Sequence, residues 1–338
     1  MPPVISVQRL TRIFRAYEKE PGLFNTFKSV FKRRWVERIA VDNISFSIER
    51  GEFVGFLGPN GAGKTTTLKL LSGILRPTSG TAKVLGFVPH KRRTSFKKRI
   101  SLVMGQKSQL IWDLPAQETF LLHRDLYGMR HDEWKKTKDT LVELLQLQKV
   151  LARPVRQLSL GERMKCELVT SLIHKPEVLF LDEPTIGLDV ISQRNLWEFL
   201  REFQAKEETT FMLTSHYMQD IANLCSRVIV INQGKIMYDD TLDELIELTQ
   251  PEKRITLRFR EEISPARRQE LSELATPVEM REVDPFTYII QVPRPAFARI
   301  TTQILRDFPV EDMQVEEVDL STVMQRSFEF QKTADPSS

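Results

Sequence analysis

The chain has 338 residues, 49 Lys and Arg against 45 Asp and Glu, a net charge of +4, and 41 % hydrophobic and 28 % charged residues. That mixture excludes a fibrous or disordered protein and gives room for two globular domains. No apolar run reaches the roughly eighteen residues of a membrane-spanning helix, and the opening "MPPVISVQRL" lacks the basic-then-apolar pattern of a secretory signal.

The expected location is therefore the cytosol. Cys166 and Cys225 form no CxxC and stand near no metal-ligand cluster, which suits buried thiols in a reducing compartment. The charge is uneven. Residues 11–40 hold eight basic side chains against Glu18, Glu20 and Glu37, and "KRRTSFKKR" at 91–99 is a second basic cluster. Such patches suit nucleic acid, anionic lipid or an acidic partner, or are simply solvated.

In chain order, "ISVQRLTRIF" alternates apolar and polar residues and predicts a strand. Phe24, Phe27, Phe31 and Trp35 then recur at helical spacing among Lys28, Lys32, Arg33 and Arg34, so 17–38 is expected to be a basic amphipathic insertion after a Pro-Gly turn. "AVDNISFSIERGEFVGFLG" predicts two strands joined at Glu49–Gly51. A helix is expected from Thr65 to about Leu75, a strand over 99–106, helical structure over 116–150, and a helix capped by Ser159 reaching His174. "EVLFLDEP" and "TTFMLTSH" predict strands with a helix near 191–205 between them, and "RVIVINQGKIMYDD" a hairpin. After about 250 the rhythm changes to a small α+β pattern, residues 253–331, with a polar tail at 332–338. Strands alternating with helices predict a layered α/β core around a mainly parallel sheet. No repeat at solenoid periods is evident.

"GPNGAGKTT" fits G-x-x-x-x-G-K-[ST] between a predicted strand and a predicted helix. Gly58, Pro59, Asn60, Gly61, Ala62, Gly63, Lys64, Thr65 and Thr66 then form a phosphate cradle. Its glycines let backbone N–H groups curl round an anion at a helix N-terminus. Lys64 would reach the β- and γ-phosphates and Thr65 would hold Mg²⁺. "VLFLDEPT" ends an apolar strand in Asp182, suited to Mg²⁺, and Glu183, suited to polarise an attacking water as general base. Ser159 and Glu162 also satisfy the S-x-x-E capping box.

With the cradle, "LSLGE", "LDEPT" and His216 in place, residues 4–246 resemble the ATP-binding cassette (ABC) ATPases, most of all the nucleotide-binding subunits of exporters whose permease is a separate polypeptide. The resemblance implies a P-loop NTPase fold with a parallel-sheet core, an antiparallel β-subdomain and a helical subdomain at about 107–165. The cassette would span 1–248, with the small α+β domain behind it. It implies ATP hydrolysis by Glu183, with His216 on the γ-phosphate and Gln106 sensing Mg²⁺ as a ligand beside Thr65 and Asp182. Phe14 falls where the family stacks adenine, with Tyr17 and Trp35 as alternatives beside the insertion. Ser159, Gly161 and Glu162 would form the signature loop that closes over the ATP of a second subunit, and Asp189 would lie at the interface.

This sequence departs from the family's LSGGQ at Leu160 and Glu162. Leu160 adds bulk and Glu162 adds charge where a phosphate would approach, which bears on the rate and tightness of closure. The implied cofactors are ATP and Mg²⁺. The implied partners are a separate transmembrane permease, docking near Leu110 and Trp112, and a second ATPase subunit in a homodimer or a paralogous heterodimer. An anionic membrane surface could meet 17–38, no nucleic acid is expected, and the place is the cytoplasmic face of the membrane. Two other readings compete. One is a non-transport ABC ATPase acting on ribosomes or nucleic acid, though the chain has neither tandem cassettes nor a long coiled-coil insertion. The other is a scaffolding subunit with degenerate catalysis, which the retained Lys64, Gln106, Asp182, Glu183 and His216 oppose.

Overall fold

The structure is a computed structural model that describes residues 2–17, 35–105, 107–215, 217–249, 252–274 and 280–316. The chain divides into two compact units between Leu242 and Asp243. In the first, β1 (Ile5–Tyr17) pairs antiparallel with β2 (Trp35–Ile48) and with β4 (Ser79–Val84). The apolar positions of this ribbon, Ile5, Val7, Leu10, Val41, Ile44 and Ile48, are buried and their neighbours face out. This is the half-buried alternation of an antiparallel sheet.

The main sheet has six strands in the order β5-β6-β7-β3-β8-β9, formed by β3 (Phe53–Leu57), β5 (Ile100–Met104), β6 (Val178–Asp182), β7 (Thr210–Ser215), β8 (Arg227–Asn232) and β9 (Lys235–Thr241). All neighbours are parallel except β8–β9. "FVGFL", "VLFLD" and "TFMLTS" are buried at every position, as strands covered on both faces require. Leu57 pairs with Ser215, Thr214 with Asp182, and Asp182 with Met104. The carboxyl ends of four strands thus share one edge, where open α/β sheets place their ligands.

The helices of this unit are α1 (Lys64–Leu71), α2 (Thr94–Lys97), α3 (Ala116–Tyr127), α4 (His131–Leu144), α5 (Leu160–Leu172), α6 (Val190–Glu207) and α7 (Met218–Leu224). After α8 (Leu242–Thr249), the second unit runs β10 (Glu252–Phe259), α9 (Pro265–Leu274), β11 (Arg281–Asp284), β12 (Thr287–Pro293), α10 (Phe297–Asp307) and β13 (Val310–Glu316). Its sheet order β11-β12-β10-β13 makes a split βαββαβ unit around Ile255, Leu257, Tyr288, Ile290, Ile300 and Ile304.

Several expectations shift. Residues 35–38 of the expected amphipathic insertion belong to β2, so Trp35 does not continue a helical stripe. Cross-strand pairing from Tyr17↔Trp35 to Ile13↔Ile39 overrides the local periodicity. Residues 18–34, the rest of that insertion, and residues 317–338, the end of the expected α+β domain and the polar tail, lie outside the described residues. The helix after the cradle stops at Leu71 instead of Leu75, because Gly73 at φ +78 turns the chain against the Pro89 carbonyl. β4, β11, α7 and α8 carry signals too short to be read locally.

Candidate functional site

The cradle leaves β3 at Leu57 and enters α1 at Lys64. Gly63 is the N-cap at φ 112, and a Cβ there would stand 2.4 Å from the Ala40 carbonyl; one on Gly58 would stand 2.3 Å from the Ile231 carbonyl. Only glycine lets the loop fold this tightly against β2 and β8. The N-terminus of α1 then opens into a cleft of about 790 Å³. Asn60 to Thr66 form one wall; Phe14, Arg38 and Ala40 of the β1–β2 ribbon form a second; Met104, Gly105 and Lys107 lie opposite with Asp182, Glu183 and Ile186.

Lys64 is 6 % exposed, and its Nζ donates to the Gly58 carbonyl at 2.6 Å and the Pro59 carbonyl at 3.2 Å. Burial lowers its pKa, while the nearby Glu183 and Asp182 carboxylates oppose that shift. The Thr65 hydroxyl lies 2.9 Å from both carboxylate oxygens of Asp182, and the Thr214 hydroxyl donates to Asp182 Oδ1 at 2.7 Å. A hydroxyl and a carboxylate side by side at a phosphate cradle form the hard, oxygen-only donor set that suits Mg²⁺.

Glu183 follows with φ 52, outside the usual range for a side-chain-bearing residue. Its N–H donates to the Thr214 carbonyl at 3.0 Å and hydroxyl at 3.1 Å. β7 thus fixes the turn that keeps Glu183 on the cleft wall. Behind it, buried Asp220 accepts from Thr185 and Ser215 at 2.5 Å each and from Trp197 Nε1 at 2.8 Å. That network ties the segment after Glu183 to the end of β7. Gln106 and His216 lie outside the described residues, and the structure places only their neighbours, Gly105, Lys107, Ser215 and Tyr217.

Ser159, Gly161, Glu162 and Asp189 are not on the cleft wall. They form a second cluster where α5 and α6 begin. Ser159 Oγ accepts from the Glu162 N–H at 3.2 Å, and the Glu162 carboxylate accepts from the Ser159 N–H at 2.8 Å, a complete capping box. Asp189 caps α6 through the Ser192 N–H at 2.9 Å and hydroxyl at 2.7 Å, and these bonds hold its carboxyl below the usual range. A Cβ on Gly161 would lie 2.8 Å from Ser192 Oγ, and one on Gly187 would lie 2.6 Å from Leu160 Cδ2. Leu160 therefore packs over Gly187, and the Glu162 charge is turned onto backbone.

Leu110, expected at a docking surface, is buried at 6 % exposure, whereas Trp112 is 52 % exposed beside exposed Ile111 and Leu114. The loop turns Leu110 inward because its N–H, with that of Gln109 and the Ser108 hydroxyl, points at the buried Glu167 carboxylate. Local sequence missed Arg38, Lys69 and Lys107 on the cleft wall, and Thr214 and Asp220 behind it. Lys107 is flagged only by adjacency to Gln106, and Arg38 only by strand pairing.

Residues 41–186 match the ABC transporter family, and residues 251–316 match the C-terminal domain of EvrA-like ABC transporters. The ABC transporter ATP-binding protein NatA of Bacillus subtilis is 36 % identical over 62 % of this chain and 84 % of its own length. The Nod factor export ATP-binding protein I of Burkholderia orbicola is 34 % identical over 81 % of this chain and 88 % of its own. The probable multidrug ABC transporter ATP-binding protein YbhF of Escherichia coli is 34 % identical over 70 % of this chain and 40 % of its own length. Among solved structures, a dimeric ATP-binding cassette bound to ADP and Pi superposes with a TM-score of 0.58 at 21 % identity, covering 70 % of this chain and 98 % of that one, a likeness of fold. With these relatives, and with a phosphate cradle facing an Asp-Glu strand end, the chain belongs to the ABC transporter ATP-binding proteins and is an ATP-binding ATPase subunit.

Proposed function

We propose that this ATPase pairs with a second ATPase subunit around two MgATP and drives a separate membrane permease, in the direction of export. The observation that carries the reading is the separation of the site into two clusters. The cleft holds the cradle, Asp182 and Glu183, while Ser159, Gly161, Glu162 and Asp189 stand elsewhere, presented at two adjacent helix N-termini. A helix N-terminus favours an anion; Asp189 fills that place at α6, so the phosphate reading of this cluster rests on Ser159 and the start of α5.

In this reading the backbone of Asn60–Thr66 cradles the phosphates, and Lys64 leaves the Gly58 and Pro59 carbonyls for the β- and γ-phosphate oxygens. Phe14 stacks the base. Thr65 and Asp182 would hold Mg²⁺, with Gln106 as a further ligand; the ion would supply charge neutralisation to the polyphosphate. Glu183 accepts a proton from the attacking water, and His216 hydrogen-bonds the γ-phosphate. Ser159 Oγ accepts within the capping box, and among the described residues no acceptor takes its hydroxyl hydrogen.

Exposed Trp112 supplies the permease contact. Its ring lies under the Arg163 guanidinium, 5.2 Å from ring centre, and Arg163 is on α5 behind Ser159. A partner seated on Trp112 thus bears on the signature helix. Relatives described as exporting Nod factor and as multidrug transporter subunits support export. The basic, aromatic composition of 18–34 supports an anionic membrane surface nearby. The cassette at 1–248 and the α+β domain at 253–331 are the two functional parts.

Replacing Glu183 tests the core of this. Glu183→Gln should lower ATP turnover by a hundredfold or more and trap an ATP-dependent dimer on size exclusion. Turnover at the parent rate would remove Glu183 from the chemistry, and a variant that stays monomeric with ATP bound would remove the shared site.

A further inference from the structure

The cleft wall formed by the β1–β2 ribbon carries a cation that neither the cradle nor the strand-end acids explain. Arg38 lies directly across from Phe14 in the antiparallel pairing, so the two side chains share one face of the ribbon. Both line the cleft. Arg38 Nη2 stands 3.6 Å from where a Cβ on Gly61 would be, so the guanidinium reaches the tip of the phosphate cradle. Its neighbours on β1 are engaged otherwise. Arg15 is paired with Glu37 at 2.9 Å, and Arg12 lies over the Phe14 ring at 4.6 Å while donating to the Arg76 carbonyl. Among the described residues, no carboxylate pairs with Arg38.

A guanidinium between a base platform and a cradle of backbone N–H groups faces the polyphosphate of a nucleotide lying between them. We infer that Arg38 is a direct ligand of the nucleotide polyphosphate, reaching across from β2 to close the side of the cradle that α1 leaves open. This rests on the cleft being the ATP site. The planar fork of arginine suits two phosphate oxygens at once. The contact also gives the ribbon a part in holding phosphate as well as base. Arg38 is exposed, so the structure does not need it for packing.

The test compares Arg38→Met, which keeps most of the apolar stem and removes the charge, with Arg38→Lys, in the full chain. ATP and ADP dissociation constants are measured by calorimetry at about 0.05 M and about 0.5 M salt, with steady-state KM and kcat alongside. Arg38→Met should weaken both nucleotides by about tenfold at low salt and by less at high salt, because a partly exposed charge contact is screened. KM should rise in step with kcat unchanged within twofold, and Arg38→Lys should recover most of the affinity. Affinity within twofold of the parent would overturn the inference. So would a loss of equal size at both salts, which would mark Arg38 as a support for Phe14. Lys64→Ala separates the two readings. If it abolishes ATP binding while Arg38→Met binds normally, only the Arg38 contact fails; if Lys64→Ala still binds ATP in full, the site itself is elsewhere.

Discussion

At the scale of single residues, the site depends on side chains that never face the cleft. Asp220 accepts three hydrogen bonds in a buried position, joining the turn after Glu183, the end of β7 and the α6 indole of Trp197. Asp220→Ala leaves the Thr185 and Trp197 donors buried and unpaired and Ser215 with only the Tyr217 carbonyl at 3.5 Å, so the expected loss is ~2–4 kcal/mol, read as a lower urea midpoint. Turnover should fall further than stability alone explains, because the β7 end that carries the approach to His216 loses its anchor. A variant with the parent midpoint would show that water replaces the carboxylate. The same logic explains the two signature departures. Leu160 has Gly187 beneath it and Glu162 has the Ser159 N–H to accept from, so neither substitution stands unsupported.

At the scale of elements, α5 is tied to the loop that follows Gln106. Glu167 on its inner face receives the Ser108 hydroxyl and the Gln109 N–H, and Gln109 in turn bonds Leu102 and Ser171. The segment after Gln106 and the helix that presents Ser159 are therefore held as one. Just past the end of α5, His174 stacks on Tyr127 of α3 at 3.7 Å and faces the Ile100 carbonyl of β5. Burial pushes its pKa down from 6.5 to about 4. The unfolded chain binds a proton there at higher pH than the folded one, so stability is fully present above about 6.5 and is lost as pH falls toward about 4. The expected contribution is up to ~3 kcal/mol across that window. His174→Phe, which keeps the ring stack, should flatten the fall in urea-unfolding free energy between those pH values. An identical slope in parent and variant would assign the pH dependence to other groups.

At the scale of the whole molecule, the ATPase unit and the βαββαβ unit are separately compact, each around its own core. Among the described residues, no helix is long and apolar enough to cross a membrane. The proposed permease contact is assigned to the exposed Trp112 face. Affinity purification in mild detergent should recover a polytopic membrane protein, and Trp112→Ala should lower its yield several-fold while leaving basal ATP turnover in place. Recovery of ribosomal proteins or nucleic acid with no membrane protein would overturn the transport reading.

The sequence by itself determined the nucleotide chemistry, because a phosphate cradle and a strand ending in two acids are local. Each is written within a dozen residues whose spacing alone lets backbone N–H groups and carboxylates converge. The parallel sheet was legible for a similar reason, since strands covered on both faces must be continuously apolar. What only the tertiary structure decided rests on pairings across long sequence separations. Trp35 became the start of a strand because β1 was there to receive it, Leu110 turned inward toward Glu167, and Arg38 joined Phe14 through cross-strand register. That the signature residues serve a second subunit was already implied by the resemblance; what the structure adds is that Ser159, Gly161, Glu162 and Asp189 stand off the cleft wall at two capped helix starts. Their placement depends on which helix N-termini the fold sets at the cleft and which it sets apart, and no local pattern gives that geometry.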